Sequence, residues 1–514
     1  MSIATLITFI VYLLGMLLIG VIASRMTNDL SDYVLGGRRL GPGVAALSAG
    51  ASDMSGWLLL GLPGAVYASG LSAAWIGIGL AIGAYLNWQF VARRLRVYTE
   101  VANDSITVPD FLENRFHDTS HILRVISALV ILFFFTFYTS SGMVGGAKLF
   151  AASFDMGYNQ ALWIGAIVII SYTFLGGFLA VSWTDFFQGI LMFVALLAVP
   201  LVAISELGGW NEVVTMVSEI DATRLDMVKG VGVLSVISSL AWGLGYFGQP
   251  HILTRFMALR SPKDVPKARF IGMTWMILGL YGAIFTGLVG VAYVANGGTA
   301  GELADLGVKI VQQGGYNVIP DSTEAEKIFI AFSQILFHPI IAGILLAAIL
   351  SAIMSTIDSQ LLVSSSAVAE DFYKAILRKN ASERELVWVG RFSVAAIALL
   401  AIALAYGAQS SVLELVSYAW AGFGAAFGPI IILSLFWKRL SRNGAVAGII
   451  VGAVTVVIWG DLLKPTEGQD WTNIFGLYEI VPGFILCTIA AVVVSMIGKG
   501  PSKEIQAEFD KANS

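Results

Sequence analysis

The chain has 514 residues, of which 57% are apolar and 12% are charged, with a net charge of -4 and a mean hydropathy of +0.81. Soluble domains carry about 25% charged residues, so this composition excludes an ordinary soluble enzyme and indicates a chain that lies mostly in lipid. The charge balance gives no sign of a nucleic-acid partner. The single cysteine, Cys487, excludes an intramolecular disulfide, and the four histidines lack metal-ligand spacing.

Thirteen stretches of the sequence are long and apolar enough to cross a membrane as helices, which takes about 20 residues for a hydrocarbon core of roughly 30 Å. We call them segments 1 to 13. In chain order they lie at about 4–23, 43–68, 70–91, 122–150, 157–177, 185–205, 230–250, 270–294, 327–358, 389–407, 411–436, 443–461 and 476–497. With the N-terminus outside and the C-terminus inside, most Lys and Arg residues, Arg255 among them, fall in loops on the inner side, as the positive-inside rule requires. We expect Lys148 to extend to the outer surface of the membrane and the tract 370–374 to form a solvated helix on the inner side. The sequence therefore predicts an all-α polytopic membrane protein with 13 transmembrane helices.

A run of small residues around a carboxylate interrupts segment 2. Ser52 and Ser55 flank Asp53, and Gly50 and Gly56 lie close by. A lone Asp inside a bilayer costs at least ~2.5–3.5 kcal/mol on insertion scales, so it needs a partner cation, water or a proton. Because helix packing alone does not require a buried carboxylate between hydroxyls, we expect a functional break here.

Segment 7 has a second interruption, formed by Gly243, Gly245, Gly248 and Pro250. These residues are poor helix formers. The two interrupted segments are five apart, so they run in opposite directions, which predicts two inverted five-helix repeats with a site at their broken midpoints. The predicted division is a first accessory helix and inner loop at 1–42, the first repeat at 43–228, the inverted repeat at 229–440, and accessory segments 12 and 13 with a cytoplasmic tail at 441–514. That arrangement is typical of secondary transporters.

Hydroxyl groups near the end of segment 9 indicate a cation site. Ser351 and Ser355 are four residues apart on one helix face, and Thr356 is adjacent. Hard cations prefer several such oxygens, although the same hydroxyls commonly bond back to a carbonyl of the preceding turn. Asp185, at the start of segment 6, has two interpretations, either a helix N-terminal charge or a second cation or gating site.

Six motifs in the sequence resemble those of the sodium:solute symporter family, and the similarity extends over nearly the whole chain. They are Leu35-Gly36-Gly37-Arg38, Ala51-Ser52-Asp53-Met54-Ser55-Gly56-Trp57, Gly176-Gly177-Phe178, Trp242-Gly243-Leu244-Gly245-Tyr246-Phe247-Gly248-Gln249-Pro250-His251, Met354-Ser355-Thr356 and Ser417-Tyr418-Ala419-Trp420-Ala421-Gly422-Phe423-Gly424. The resemblance implies a LeuT-type core of 5+5 inverted repeats with three accessory helices. It also implies a sodium ion held between the first helix of one repeat and the third helix of the other.

The resemblance further implies roles for the residues at the matching positions. The sodium ligands would be the backbone oxygens of Ala51, Met54 and Ala352 and the hydroxyls of Ser355 and Thr356. Asp53 would be required for sodium coupling, Asp185 would belong to an additional sodium site or a gate, and Arg38 would take part in coupling at the inner side. Asp358, where family members vary, adds a carboxylate close to the cation hydroxyls in the sequence and is a second candidate for that cation site or gate. The substrate would lie against Ser55, Gly56, Trp57, Tyr138, Trp242, Tyr246 and Pro250.

These features predict sodium-coupled uptake of a small solute by alternating access, which the resemblance narrows to L-proline. The expected setting is the inner, cytoplasmic membrane of a bacterium, with sodium as the co-transported ion, lipid as the surroundings, no nucleic acid and no obligatory protein partner. Hypotheses left open are uptake of another amino acid, a carboxylate or a sugar, coupling to protons through Asp53, and a channel. An enzyme is not expected, because the sequence has no HExxH or GxSxG motif.

Overall fold

The computed structural model of the protein describes residues 3–24, 30–173, 177–296, 300–407, 411–463 and 476–513. Within these residues, ten helices are long and apolar enough to cross a membrane. A short antiparallel hairpin joins β1 (Val311–Gln313) to β2 (Tyr316–Val318). The predicted class, a helical polytopic membrane protein, is confirmed, while Gly176 of one family motif lies outside the described residues.

Each predicted segment coincides with helix in the structure. The helices are Ile3–Ser24 for segment 1, Pro42–Asp53 and Leu62–Ser69 for segment 2, Ala74–Leu86 for segment 3, Ile122–Phe154 for segment 4, Tyr158–Thr173 for segment 5, Phe178–Glu206 for segment 6, Val233–Leu240 for segment 7, Val265–Ala295 for segment 8, Ile328–Ile335 and Pro339–Ser366 for segment 9, Glu383–Ala405 for segment 10, Val412–Phe436 for segment 11, Arg442–Val457 for segment 12 and Ile480–Ile497 for segment 13. Two helices extend segments past their predicted ends: Ala92–Val101 follows segment 3, and Pro250–Met257, which we treat as the second half of segment 7, starts at the last residue of that segment.

Further helical pieces extend or connect these segments. Wide helical turns lie at Trp57–Gly61, Asn87–Val91, Ala367–Leu377 and Ile458–Leu463, and tight turns lie at Gly36–Arg38, Gly70–Ala73, Ala222–Leu225, Ala241–Gly248 and Pro262–Asp264. Helices outside the segments are Leu30–Leu35, Val108–Arg115, Trp210–Asp221, Ala300–Asp305, Ser322–Ala325 and Lys503–Asn513.

Segments 2 and 7 are both broken, as their sequences predict. In segment 2 the first helix ends at Asp53, and Met54 leaves the helical region with φ -83° and ψ 75° before the chain turns through Ser55 into the second half. In segment 7 a tight-turn stretch ends at Gly248, Gln249 has the extended angles φ -77° and ψ 109°, and Pro250 opens the next helix. Proline suits that position because an N–H at the start of a helix has no intrahelical acceptor, so nothing is lost by its absence.

Glycines of segment 3 fix the position of the break in segment 7. A Cβ atom at Gly79 would lie 2.7 Å from the Cα of Leu240, and one at Gly83 would lie 2.5 Å from the Cα of Gly243. Carbon atoms pack at about 3.5–4.0 Å, so a side chain at either position would push the two backbones apart. The small residues therefore bring segment 3 into direct contact with the broken part of segment 7.

The connections define two ends of the bundle. At the end that we call the basic end, Leu40 donates its backbone N–H to Ala258 at 3.1 Å and accepts one from Arg260 at 3.0 Å. The helix Lys503–Asn513 also docks there through an ion pair between Glu508 and His117 at 3.0 Å. At the opposite end, which we call the far end, the backbone N–H of Ile319 donates to the Tyr67 hydroxyl at 2.8 Å.

Candidate functional site

Four of the five predicted sodium-ligand oxygens lie together where segment 9 meets the break in segment 2. The Ser355 hydroxyl donates to the carbonyl of Ala51 at 2.7 Å, and the Thr356 hydroxyl lies 3.3 Å from the same oxygen. Both hydroxyls also reach the carbonyl of Ala352, at 3.3 and 3.1 Å. All four residues are buried. The cluster offers two carbonyls and two hydroxyls without a fixed charge, a donor set that suits a hard monovalent cation.

The fifth predicted ligand, Met54, is the residue at which segment 2 leaves the helix. Its N–H still donates to Gly50 at 2.8 Å, which completes the last helical turn. Its φ of -83° and ψ of 75° take the peptide that follows out of the helical hydrogen-bonding pattern. Carbonyls at helix breaks commonly serve as cation ligands in transporters, so the Met54 carbonyl is in a suitable place for this role.

Asp53 connects the break in segment 2 to segments 4 and 7. Its carboxylate Oδ2 accepts a hydrogen bond from the Tyr246 hydroxyl, while Oδ1 has no hydrogen-bond partner among the described residues. Its backbone oxygen accepts from the indole N–H of Trp57 at 3.1 Å and from the Tyr138 hydroxyl at 3.3 Å. The side chain is 3% exposed, so a buried carboxylate oxygen is left for a cation or a donor of the substrate.

Four aromatic side chains lie around Asp53, and we call Trp57, Trp242, Tyr246 and Trp420 the aromatic group. Trp57 and Trp242 have ring centroids 6.4 Å apart, and Tyr246 meets Trp420 edge to face at 5.0 Å. Trp420 also donates its indole N–H to the carbonyl of Trp242 at 2.7 Å. Trp420 was not among the site residues predicted from the sequence. Its position in the glycine-rich motif 417–424 could have indicated that it lies near the site.

Ser55 and Gly56 form the turn between the two halves of segment 2. The Ser55 hydroxyl accepts from the N–H of Trp57 at 3.3 Å, and a Cβ at Gly56 would lie 3.2 Å from Ile353 on segment 9. Pro250 lies apart from this group, in a cavity toward the basic end that Thr107 and Asp371 also line. The structure thus brings six of the seven predicted substrate residues around Asp53 and places the seventh below the break in segment 7.

Two cavities border residues of this group. One of about 20 Å³ borders Asp53, Asn87 and Tyr246, which is room for about one water molecule. Another, of about 370 Å³ and open to the surface, is bounded by Trp242 and Tyr478. Trp242 therefore borders the open cavity, whereas Asp53 borders the small buried one.

Asp185 is not at a helix N-terminus, because segment 6 begins at Phe178 rather than at 185. Its Oδ2 accepts from the Ser48 hydroxyl at 2.6 Å and from the guanidinium of Arg255 at 3.2 Å. Arg255, which the sequence interpretation placed in an inner loop, is fully buried and also donates to the Ser359 hydroxyl at 2.5 Å and to the carbonyl of His251 at 3.1 Å. The charge of Asp185 is thus balanced inside the protein, by a partner that sequence reasoning missed.

Asp358 and Arg38 lie outside the oxygen cluster. Asp358 accepts a hydrogen bond from the hydroxyl of Thr173. Arg38 joins the basic end together through Asp104 at 2.9 Å and the carbonyls of Met257 and Ser105 at 2.8 and 2.9 Å. Burial lowers the pKa of Arg38, although the Asp104 carboxylate opposes this shift, and a guanidinium remains charged at neutral pH.

Two further sequence interpretations are corrected by the structure. Lys148 was expected to extend to the membrane surface, but it is buried and pairs with Glu326 at 2.5 Å. The acidic tract 370–374 was expected to be solvated, but Asp371 is fully buried, accepts from Thr107 at 3.1 Å and lies 3.8 Å from Arg124. In both cases the partner comes from a distant part of the chain, and burial of a charge is tolerated because it is paired.

Comparisons with known proteins place this geometry in context. The family model of the sodium:solute symporter family matches residues 33–452. The sodium/proline symporter of Escherichia coli strain K12 is 53% identical over 517 residues, covering 100% of this chain and 97% of the relative. The osmoregulated proline transporter of Bacillus subtilis strain 168 is 53% identical over 508 residues, covering 98% of this chain and 96% of the relative.

Solved structures with the same fold are transporters. A sodium-coupled sialic acid symporter in its substrate-bound, outward-open state has a TM-score of 0.77 at 19% identity, covering 98% of this chain and 99% of that one. The nucleobase–cation symporter Mhp1 in a closed conformation has a TM-score of 0.55 at 14% identity, covering 95% and 99%. At these identities the likeness concerns the fold, and it confirms the predicted LeuT-type architecture.

Proposed function

The chain belongs to the sodium:solute symporter family, and on that basis we propose that it couples the inward movement of sodium to the uptake of L-proline by alternating access. Relatives that match it over nearly their whole length in Escherichia coli and Bacillus subtilis are named as proline transporters. Members of this family are sodium-coupled transporters rather than enzymes. The substrate and the coupling ion of this chain follow from that kinship together with its own chemistry.

The convergence of Ser355 and Thr356 on the carbonyls of Ala51 and Ala352 is the observation that carries the sodium assignment. Met54 would supply a fifth oxygen from the broken end of its helix. Sodium binding there would join segment 2 to segment 9, so the ion can favour one arrangement of the two segments over another. Asp53 lies between Ala51 and Met54 in the sequence, so its carboxylate would connect the occupied cation site to the substrate.

The substrate would lie beside Asp53, between the broken halves of segments 2 and 7. Proline at neutral pH has a carboxylate, a secondary ammonium and an apolar ring. The backbone of the turn at Gly56 would suit the carboxylate, the Asp53 carboxylate would suit the ammonium, and the rings of Trp57, Tyr138, Trp242 and Tyr246 would suit the apolar ring. Pro250 would shape this site indirectly, as the first residue of the second half of segment 7.

The remaining assignments complete the proposal. The thirteen segments would all cross the inner membrane of a bacterium, with the basic end in the cytoplasm, segments 2–6 and 7–11 as the inverted repeats at 43–228 and 229–440, and the other segments as accessories. Arg38 would hold the inner connections during coupling. Asp185 and Asp358 would bind a second cation or form a gate, and any cation at Asp185 would compete with the guanidinium of Arg255.

The test is uptake of labelled L-proline into vesicles that contain the purified full chain. A tenfold inward sodium gradient without a potential supplies about 1.4 kcal/mol, so one sodium per cycle should concentrate proline about tenfold. A potential of about 100 mV, negative inside, adds ~2.3 kcal/mol per charge and should raise accumulation to several hundredfold. An excess of unlabelled carboxylates, sugars or other amino acids should compete less well than proline.

The matched variants are Asp53→Asn and Asp155→Asn. Asp155 is an exposed carboxylate at the end of segment 4, so its variant should keep wild-type uptake, whereas Asp53→Asn should nearly abolish uptake at ordinary sodium concentrations. Equal accumulation of proline without sodium, or under a proton gradient alone, would contradict the proposed coupling. Stronger competition by another solute would contradict proline as the substrate.

A further inference from the structure

The last accessory segment contributes a side chain to the aromatic group above Asp53. Tyr478, just before the helix Ile480–Ile497, stacks on Trp242 with ring centroids 5.5 Å apart and planes inclined by 30°. Its hydroxyl donates to the carbonyl of Ser417 at 2.7 Å, and its backbone N–H donates to the Ser238 hydroxyl at 3.0 Å. The residue is 7% exposed. Both ends of Tyr478 are therefore fixed, and its ring is held against Trp242.

Trp242 is the ring through which Tyr478 reaches the proposed substrate site. Between ring centroids, Trp242 lies 6.4 Å from Trp57, 6.5 Å from Trp420 and 5.5 Å from Tyr478. The open cavity of about 370 Å³ ends at Trp242 and Tyr478. Trp242 lines this cavity and also lies near Trp57, whose indole N–H donates to the Asp53 carbonyl, so the position of its ring affects the space between the cavity and Asp53.

We propose that Tyr478 is a positioning residue for the substrate: it sets the orientation of Trp242 and thereby the fit of the proline ring. The inference rests on the proposed function, and it extends the substrate machinery to a segment outside both repeats. Because Tyr478 also holds Ser238 on segment 7 and Ser417 on segment 11, the three segments present one common wall to the entering solute. The hydroxyls of Ser355 and Thr356 bond to the carbonyls of Ala51 and Ala352 rather than to Tyr478, Ser238 or Ser417, so sodium dependence measured at saturating proline should not change.

The experiment measures initial proline uptake into vesicles under a sodium gradient, with proline and sodium varied separately. A stacked aromatic pair is worth up to about tenfold in an equilibrium constant. Tyr478→Ala should therefore raise the half-saturating proline concentration about threefold to tenfold and leave the half-saturating sodium concentration unchanged. The same variant should discriminate less against the six-membered-ring analogue pipecolate, because the Trp242 ring loses its support. Tyr478→Phe, which keeps the ring and loses the hydrogen bond to Ser417, should restore most of both properties.

The control is Tyr281→Ala, which removes a tyrosine ring that is 55% exposed on segment 8; it should match the wild type. If Tyr478→Ala does not reach the membrane, Tyr478→Leu gives the same comparison with the volume retained. Wild-type proline dependence and pipecolate discrimination in the Ala or Leu variant would overturn the proposal, as would a lower maximal rate with both unchanged. Failure of the proposed function itself is distinct, since the wild-type chain would then show no sodium-driven proline uptake at all.

Discussion

Removal of the Ser355 hydroxyl should weaken sodium binding without unfolding the protein. Ser355→Ala removes one of the four oxygens that converge between segments 2 and 9. That oxygen makes the shorter of the two hydroxyl contacts to the Ala51 carbonyl, at 2.7 Å. Interactions of a hydroxyl with a charged group are worth about 1.5–3 kcal/mol, so the half-saturating sodium concentration should rise about tenfold to a hundredfold. The carbonyl of Ala51 keeps its contact with Thr356 at 3.3 Å, which limits the loss of folding stability to about 0.5–1.5 kcal/mol.

Sodium-dependent proline uptake, measured from well below to well above the wild-type half-saturation point, reads out this change. Ser351→Ala is the matched control, because Ser351 is one turn away on the same helix and its hydroxyl contacts Tyr12 at 2.8 Å and the carbonyl of Ala347 at 2.7 Å instead of segment 2. The control should keep the wild-type sodium dependence. The reasoning would be refuted if Ser355→Ala altered only the proline requirement, or if the Ser351 variant lost sodium affinity equally.

Three further predictions concern folding and close packing. Asp185→Asn should destabilise the protein by roughly 3–5 kcal/mol, because it leaves the buried guanidinium of Arg255 uncompensated; a thermal melt in detergent measures this, and adding Arg255→Gln should recover part of the loss. Gly83→Ala should abolish proline uptake, since its Cβ would meet the backbone of segment 7, whereas Gly15→Ala, with nothing within 4 Å, should be silent. Burial raises the pKa of Asp118, but hydrogen bonds to its carboxylate outweigh burial and hold the pKa below its usual value. The ionised carboxylate therefore stabilises the fold above the ordinary carboxyl pKa, and this stabilisation is lost as the pH falls. Asp118→Asn should lower the melting temperature at pH 7 and make the melting temperature decline less steeply in acid.

Each of these outcomes can contradict its premise. A double variant at Asp185 and Arg255 no more stable than Asp185→Asn would mean that the lost charge balance is not the cause. Wild-type uptake in Gly83→Ala would mean that segments 3 and 7 can separate without harm to transport. An unchanged acid profile in Asp118→Asn would mean that this carboxyl has the same pKa in the folded and unfolded chain.

The breaks in segments 2 and 7 could be predicted because their causes are local. Helix-breaking glycines, a proline and a carboxylate at membrane depth appear in the sequence at the positions where the backbone leaves the helix. The cluster at Ser355 and Thr356 was also within reach, since four-residue spacing places hydroxyls on one helix face. Which carbonyls they meet depends on how segment 9 packs against segment 2, and for that the family resemblance was needed.

Buried ion pairs were the part that sequence reasoning missed. Arg255 and Lys148 were assigned to surfaces because Lys and Arg are almost never fully buried unless paired. Their partners, Asp185 and Glu326, lie on segment 6 and just before segment 9, and no local pattern brings them together. When a charged residue lies in or next to a predicted membrane helix, a buried partner of opposite charge should therefore be considered before a position at the membrane surface is assigned.

The guanidinium of Arg255 links four segments toward the basic end, so their movements are expected to depend on one another. One charged group is shared by Ser48 on the first half of segment 2, Asp185 on segment 6 and Ser359 on segment 9, while its own backbone belongs to the second half of segment 7. If one of these segments moved away alone, part of a buried charge would lose its partners, which is energetically costly. We therefore expect the four segments to separate together rather than one at a time.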